Sequence, residues 1–282
     1  MTLEIVFWDV QHGSAAYIKT PGGKHIVQDL GSGSYKKSDP GFSPLLRLKE
    51  KYGIKKLDEV IITHPHKDHI DDIMNFDALC PRVINKPKNI EKTEIIKNTR
   101  EEDRHIFEKY FKIERLYNTP VPPENDPNFP NNNGGVKIET FIPNLNYSNI
   151  NNFSVVTVIK YENYKIILPG DNEPSSWNEL LEKSEFKEAI RDADVLLASH
   201  HGRKSGFCEE IFKYFNPKLT IISDGRFCDT SATDRYSNVT QGFTVSHRKT
   251  GHNERRKCLT TRNDGVIVVK VEPSGSLNVI ID

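Results

Sequence analysis

A run of metal-binding side chains directly after an apolar segment constrains this sequence more than any other feature. Val60-Ile61-Ile62 predicts a strand buried in a sheet, and Asp71-Asp72-Ile73-Met74 predicts the start of a helix. Between them, three histidines and one aspartate fall within six residues, and all four are good ligands for a divalent metal: His64, His66, Asp68 and His69. The ligands therefore sit on a turn between a strand and a helix. A histidine-rich surface turn is the alternative, and the buried strand before the cluster counts against it.

The spacing of these four residues indicates two neighbouring metals. His64 and His66 alternate in an extended segment, so both side chains can project towards one ion. Asp68 and His69 follow the bend in the chain and can reach a second ion close by. Two adjacent metals can bridge a hydroxide and clamp a phosphoryl oxygen.

Further polar residues follow other apolar strands. The strand predicted at 24–30 contains Asp29, which either orients metal ligands or is a turn aspartate that bonds its own backbone. The strand predicted at 164–168 ends in Gly170-Asp171, where a carboxylate can bridge two metals. A buried strand from Ala193 runs into His200-His201-Gly202.

These motifs, in this order, resemble the metallo-β-lactamase fold superfamily, and most of all its branch related to the soluble domain of the competence protein ComEC/Rec2. The segments that carry the resemblance are Phe7 to Ala16, the cluster at 64–69, Asn152 to Val156, Leu168 to Asp171, Ala193 to Ser205 and Leu259 to Gly265. Gln11-His12-Gly13 and Ser14 depart from the opening motif of that branch. The resemblance implies an α/β fold of four layers, an αββα sandwich, with metal ligands in loops along one edge.

The resemblance also implies a set of ligands for two divalent metal ions, Mn²⁺ or Zn²⁺, with Mg²⁺ as a further option. The expected ligands are His64, His66 and Asp171 for the first ion, and Asp68, His69, Asp171 and His200 for the second. A hydroxide between the ions would attack the substrate, Asp29 would orient ligands, and Asp68 and His201 are the candidate catalytic residues. Sequence alone leaves the choice between His200 and His201 open; we favour His200 as the ligand.

One histidine that most members place on the first metal is missing. His105 is the one histidine between His69 and His200, and it falls in a charged segment predicted to be helical. His105 could substitute for the missing ligand or be a half-exposed histidine of that helix, and His12 could substitute for it or contact the substrate. A first site with fewer nitrogen ligands favours manganese or magnesium over tightly held zinc.

The surroundings of the metals suggest a phosphodiester substrate. Arg203 and Lys204 follow the histidine pair and, with His12, could contact a phosphate; the basic segment 247–257 could do the same, or could be a solvated loop. The predicted function is a metal-dependent phosphodiesterase, most of all a nuclease acting on DNA. A hydrolase of a cyclic nucleotide, lactone or thioester is the first alternative, favoured by a formal net charge of zero. A non-enzymatic binding or regulatory subunit is the second.

The sequence pattern predicts a single domain over 1–282, with a loop insertion at about 118–135 and a polar, basic insertion at about 226–256. No apolar run approaches the ~18–20 residues needed to span a membrane, and the first residues predict a strand rather than a signal peptide. The four cysteines form no C-x-x-C pair, so we expect free thiols in the cytoplasm. Helices are predicted at 43–52, 92–112, 175–190 and 207–215.

Overall fold

Two β-sheets lie face to face, with helices against both outer faces. A computed structural model describes residues 1–34, 41–88, 90–97, 99–144, 148–224 and 230–282. The predicted αββα sandwich is confirmed, and three clusters of buried apolar side chains hold its four layers together.

The larger sheet has nine strands in the order β12-β11-β15-β14-β1-β2-β3-β4-β5. Its strands are β1 (Leu3–Phe7), β2 (Ala16–Lys19), β3 (His25–Gln28), β4 (Glu59–Ile61), β5 (Val83–Asn85), β11 (Phe243–His247), β12 (Asn253–Arg256), β14 (Ile267–Val271) and β15 (Leu277–Ile281). The first three strands form an antiparallel meander, and β3, β4 and β5 then run parallel.

The smaller sheet has six strands in the order β13-β10-β9-β8-β7-β6. They are β6 (Lys137–Phe141), β7 (Val156–Tyr161), β8 (Tyr164–Leu168), β9 (Val195–Leu197), β10 (Leu219–Ile222) and β13 (Cys258–Thr260). The four strands β8, β9, β10 and β13 are parallel.

Nine short α-helices cover the sheets over the described residues. They are α1 (Pro44–Glu50), α2 (Lys67–Ile70), α3 (Lys92–Ile96), α4 (Arg104–Leu116), α5 (Pro130–Asn133), α6 (Pro174–Leu181), α7 (Ser184–Ile190), α8 (Thr233–Val239) and α9 (Thr261–Asp264). Seven 3₁₀ segments add to them: Asp71–Ala78, Glu101–Asp103, Pro123–Asn125, Ile150–Phe153, Ser199–Gly202, Lys204–Gly206 and Glu209–Lys213.

Three of the four predicted helices differ from the structure in length or type. Ser43 caps α1 as the sequence predicts, since its hydroxyl accepts a hydrogen bond from the amide of Leu46. The helix predicted at 92–112 is interrupted, because Glu101, Glu102 and Asp103 provide the acidic first turn that favours a new helix start before α4. The helix predicted at 175–190 is the pair α6 and α7, and the one at 207–215 is a 3₁₀ segment.

The interior of the sandwich is built from alternate residues of facing strands. Ile5 and Ile18 of the larger sheet and Ile159 and Ile166 of the smaller sheet are fully buried in one cluster. Burying a side chain of this size contributes about 1.5–3 kcal/mol relative to leaving it exposed. The two sheets are therefore held in a fixed relation, which fixes the loops that connect them.

Parallel strands bring the polar turns to one edge of the molecule. The chain leaves β3 towards Asp29, β4 towards His64, β8 towards Asp171 and β9 towards His200. Within each sheet these strands are parallel and neighbouring, so the residues that follow them emerge on the same side. The expected ligands therefore meet at the carboxyl ends of these strands.

The two predicted insertions contain regular structure. In the segment 118–135, the carbonyl of Asn133 accepts a hydrogen bond from Gly22, which fastens the segment to the β2–β3 turn. Residues 226–229 of the second segment lie outside the described residues, while the rest forms α8 and the hairpin β11–β12. This hairpin extends the larger sheet through β15. Its sequence looks polar because β12 lies at the sheet edge, where much of the strand is exposed. No helix among the described residues is long and apolar enough to cross a membrane.

Candidate metal centre

Four donor atoms from three segments converge at this edge of the sandwich. Asp68 and His69 lie in α2, which begins four residues before the helix start predicted at Asp71, and Asp71–Ala78 is a 3₁₀ segment. One ligand atom from each of Asp68, His69, Asp171 and His201 lies within 4.8 Å of all the others. His69 Nε2 is 3.2 Å from Asp171 Oδ1, and His201 Nε2 is 3.4 Å from Asp171 Oδ2 and 3.3 Å from Asp68 Oδ2. We call these four residues the second cluster, because they lie at the second of the two metal positions expected from the sequence; the first cluster is described below.

Hydrogen bonds on the far side of each ring determine what the second cluster can bind. The backbone carbonyl of Ser223 is 2.9 Å from His201 Nδ1, so that nitrogen must donate and Nε2 keeps its lone pair in the neutral ring. Asp29 Oδ2 accepts from His69 Nδ1 at 2.8 Å with the same consequence. Two imidazole lone pairs, 3.3 Å apart, thus face each other and two carboxylates. Only a positive charge stabilises such a group, and imidazole and carboxylate are ligands that Mn²⁺ and Zn²⁺ accept.

The pKa values of the residues in the second cluster agree with this requirement for positive charge. Burial alone would lower the pKa of His201, but the Asp171 and Asp68 carboxylates outweigh it and raise the pKa to about 9. Burial likewise opposes protonation of His69, while Asp171 and Asp29 together raise its pKa well above its ordinary value. A divalent cation would supply the charge that a proton supplies otherwise.

A second group of donors also lies near the Asp171 carboxylate, and we call His64, His66 and His200 the first cluster. His64 Nε2 and His66 Nδ1 are 3.0 Å apart. His64 Nε2 and His200 Nε2 are each 3.9 Å from Asp171 Oδ2, the oxygen that is 3.4 Å from His201 Nε2. Asp171 is thus near histidines of both clusters, as a carboxylate shared by two metals would be.

The structure brings His201, rather than His200, into the second cluster, which differs from the preference drawn from the sequence. The reason is the backbone of the turn, where His200, His201 and Gly202 have φ angles of 50°, 53° and 71°. Three successive left-handed residues turn the chain so that the ring of His201 is buried against Asp68 and Asp171. His200 faces the first cluster instead, and its Nδ1 contacts Ser205 Oγ at 2.9 Å and Glu173 Oε1 at 3.3 Å.

Asp29 connects the strand ends of β3 and β4 to the second cluster. Its Oδ1 accepts hydrogen bonds from the backbone amide of Thr63 at 2.8 Å and from the Thr63 hydroxyl at 2.9 Å, while Oδ2 holds His69. Asp29 is fully buried, which raises its pKa, and the neighbouring His69 opposes that rise. The residue lies where the sequence analysis expected an orienting carboxylate.

Asp171 is held by the turn that precedes it. Its backbone amide donates to Ser154 Oγ at 3.0 Å, and the same hydroxyl is 3.2 Å from His64 Nδ1. Gly170 has a φ of +61°, and a Cβ atom there would lie 2.7 Å from the Cβ of Thr63 and 2.9 Å from that of Ser154. The close approach of the β4 and β8 loops therefore requires glycine at this position.

The three expected substrate contacts occupy different positions. Arg203 donates to His12 Nε2 at 3.0 Å, and that nitrogen is 3.7 Å from Asp68 Oδ2. Burial and the neighbouring His201 lower the pKa of His12 to about 4, so its ring is neutral at pH 7. Lys204 is exposed. His12 and Asp68 also line an open cleft of about 400 Å³ that continues past Lys67.

His105 and two arginines of the basic segment 247–257 have surroundings of their own. His105 is exposed on α4, so it is a surface histidine of that helix. In the basic segment 247–257, Arg248 lies 3.3 Å from Asp282 Oδ1, and Arg256 pairs with Glu254 and Asp264. Those arginines are therefore neutralised within the hairpin region.

Sequence reasoning missed several residues that support the site: Thr63, Ser154, Glu173, Ser205 and Ser223. Thr63 and Ser154 lie inside or next to recognised motifs, and that position was the available signal. The carbonyl of Ser223 is a backbone group, so no side chain in the sequence could have revealed it.

The sequence matches the family model of the metallo-beta-lactamase superfamily over residues 9–222. The chain belongs to the metallo-beta-lactamase superfamily. Most members of this superfamily are metal-dependent hydrolases. The match includes both clusters and Asp29.

Individual relatives are more distant. The chain is 27% identical over 247 residues to ComE operon protein 3 of Bacillus subtilis (strain 168), which is 79% of this chain and 28% of that protein. The chain thus spans little more than a quarter of that relative's length. Among solved structures, a protein of Parabacteroides distasonis ATCC 8503 has a TM-score of 0.47 at 13% identity, covering 92% of this chain and 93% of its own. The metallo-beta-lactamase fold protein YhfI of Bacillus subtilis has a TM-score of 0.44 at 15% identity, covering 90% and 100%.

Proposed function

We propose that this protein is a phosphodiesterase of the ComEC/Rec2-like branch that requires two divalent metal ions and cleaves DNA. The observation that carries the proposal is the arrangement of two donor clusters that share Asp171, with Arg203 and His12 beside Asp68. A paired cation site and a positive group for the phosphate promote phosphodiester hydrolysis, and this edge of the molecule has side chains suited to both.

We assign the ligands from the distances and the ring tautomers. His64, His66, His200 and Asp171 would hold the first ion. Asp68, His69, His201 and Asp171 would hold the second. His200 thus takes the place of the histidine that the sequence lacks before Asp171, because its Nδ1 faces Ser205 and Glu173 and leaves Nε2 free.

The chain's own residues have distinct roles in this proposal. When bound, the two cations would activate water at neutral pH and neutralise charge on the phosphoryl group. Asp29 and the Ser223 carbonyl fix the Nδ1 protons of His69 and His201, so both rings present Nε2 to the cation. Arg203 keeps His12 beside Asp68 and is positioned to donate to a phosphate oxygen in the adjoining cleft.

A small phosphodiester is the second candidate substrate. The pairing of Arg248 and Arg256 with carboxylates leaves less basic surface for a polymer than the sequence suggests. The zero formal net charge points the same way. The cytoplasm remains the proposed location, supported by the free cysteines Cys80, Cys208 and Cys258.

Cleavage assays with a matched control test the proposal. The purified protein is incubated with single- and double-stranded DNA, and separately with bis(p-nitrophenyl) phosphate, in Mn²⁺, Mg²⁺ or Zn²⁺. We expect DNA cleavage that is lost in Asp68→Ala and retained in His105→Ala, which removes an exposed histidine. Hydrolysis of the small diester without any DNA cleavage would favour the second candidate. No hydrolysis of either substrate with any metal would contradict the phosphodiesterase proposal.

A further inference from the structure

Asn151 is a buried amide at the edge of the first cluster, in the 3₁₀ segment Ile150–Phe153. Asn151 is 7% exposed, and its Nδ2 atom lies 3.5 Å from His200 Nε2. Its Oδ1 atom is buried and has no hydrogen-bond partner in the part of the chain that the structure describes. A buried amide oxygen without a partner is unusual in a folded protein, and in this orientation Nδ2 rather than Oδ1 faces His200.

The neighbouring histidine shows which amide atom a cation would require on its side. His200 Nδ1 lies 2.9 Å from Ser205 Oγ and 3.3 Å from Glu173 Oε1, so its proton is held on that side. The Nε2 lone pair then points towards the Asn151 amide and, at 3.9 Å, towards Asp171 Oδ2. A half-turn of the amide about its Cβ–Cγ bond exchanges nitrogen and oxygen and brings Oδ1 to face the same space as His200 Nε2.

The spacing fits two ligands of one ion. Donors about 2.1 Å from a cation and at roughly a right angle to each other lie about 3 Å apart. His64 Nε2 and His66 Nδ1 are 3.0 Å apart, and Asn151 and His200 are separated by a similar 3.5 Å.

The other asparagines of this region are already engaged. Asn152 Oδ1 accepts from the backbone amide of Glu173 and the Ser176 hydroxyl, and Asn149 Oδ1 accepts from the backbone amide of Asn151. Asn172 donates to the carbonyls of Ser154 and Pro169, and its own buried Oδ1 also lacks a partner among the described residues. The contact with a cluster histidine therefore distinguishes Asn151 from its neighbours.

We propose that the amide oxygen of Asn151 is a ligand of the ion held by His64, His66, His200 and Asp171, and that it favours Mn²⁺ over Zn²⁺ there. The inference rests on the proposed two-metal site. A neutral oxygen donor enlarges the coordination shell, which suits the six-coordinate preference of Mn²⁺ better than the four-coordinate preference of Zn²⁺.

Metal-binding measurements on purified variants test the inference without recourse to activity. Mn²⁺ binding is counted by electron paramagnetic resonance, and Zn²⁺ binding is measured by competition with a chromophoric chelator. We expect Asn151→Ala to weaken Mn²⁺ binding at one of two positions by about tenfold or more and to change Zn²⁺ affinity much less, since it removes one hard donor. Asn151→His should raise the preference for Zn²⁺, while Asn151→Asp, which keeps an oxygen in place, should retain or tighten Mn²⁺ binding.

Controls separate the two proposals. Asn85→Ala removes an amide that donates to Thr140 on the other sheet, and it should bind both metals like the wild type. A wild-type protein that binds no divalent metal would overturn the two-metal function itself. A wild type that binds two Mn²⁺ ions, with a folded Asn151→Ala variant that does the same, would overturn only the role of Asn151. Loss of Mn²⁺ binding in a folded Asn151→Asp variant would overturn it as well.

Discussion

Exchanging the Asp29 carboxylate for an amide should impair metal binding through a residue that is not itself assigned as a ligand. Asp29→Asn preserves size, and asparagine tolerates the φ of +59° found at this position. Its oxygen can still accept from the Thr63 amide, as Asp29 Oδ1 does at 2.8 Å. Its nitrogen then faces His69 Nδ1, where the carboxylate oxygen now accepts at 2.8 Å. Two donors cannot share that contact, so the His69 proton must move to Nε2.

That proton would occupy the lone pair that faces Asp171 and His201 in the second cluster. Loss of the orienting partner of a metal-bound histidine typically lowers metal affinity about 10–100-fold, or roughly 1.4–2.7 kcal/mol. We expect the Mn²⁺ affinity of the second position to fall within this range at pH 7.5, measured by calorimetric titration. Long-range ¹⁵N–¹H NMR of the metal-free variant should show that the neutral His69 ring carries its proton on Nε2, whereas the neutral ring of the wild type carries it on Nδ1.

Asp72→Asn is the matched control. Asp72 is also a buried carboxylate, but it accepts hydrogen bonds from Ser43 Oγ and the Leu45 amide at the start of α1. This variant should lose stability and keep its metal affinity. An Asp29→Asn protein that binds both metals as tightly as the wild type, with His69 still unprotonated at Nε2, would refute the reasoning.

Three further predictions follow from other parts of the structure. His201→Ala should leave the first cluster intact and reduce bound Mn²⁺ to about one ion per chain, measured by elemental analysis. His200→Ala should instead weaken Mn²⁺ binding at the first position. The reverse pattern would support the assignment favoured from the sequence. Burial raises the pKa of Glu59 to about 8, so its contribution to stability is complete below its ordinary pKa of 4.5 and is lost as the pH rises through 8. Glu59→Gln should therefore match the wild type in urea unfolding at pH 4 and exceed it at pH 8.5 by up to roughly 5 kcal/mol, at about 1.4 kcal/mol per pKa unit; parallel pH profiles would contradict this. Gly170→Ala should lower the free energy of unfolding by about 2–4 kcal/mol, because residue 170 has a φ of +61° and the new Cβ atom would lie 2.7 Å from the Cβ of Thr63. An unchanged urea midpoint would argue against the close packing of these loops.

The sequence predicts the sandwich and the edge at which its polar turns meet, because apolar periodicity reports burial directly. Val60 to Ile62 forms a buried strand end, and Asp171 follows another, as their patterns indicate. The choice between His200 and His201 depends on two left-handed backbone angles, and histidine, although enriched in that conformation, adopts it too rarely for the sequence to predict it.

Other features escaped prediction because they depend on distant parts of the chain. The hairpin β11–β12 becomes a sheet edge only through its pairing with β15, while its own residues look polar. Asn151 is one of several asparagines in its segment, and only the folded chain brings its amide to His200. Local pattern identifies which groups can bind a metal, whereas tertiary packing decides which of them do.

The contact between Ser223 and the turn at Gly13 joins residues 210 positions apart, where the Ser223 hydroxyl donates to the Gly13 carbonyl at 2.8 Å. The carbonyl of the same Ser223 holds His201. The segment from Gly13 to Ser223 must therefore be synthesised and folded before the ring of His201 is oriented. Metal binding should therefore be among the last steps of folding. A divalent ion that binds at this stage would stabilise the folded chain and slow its unfolding.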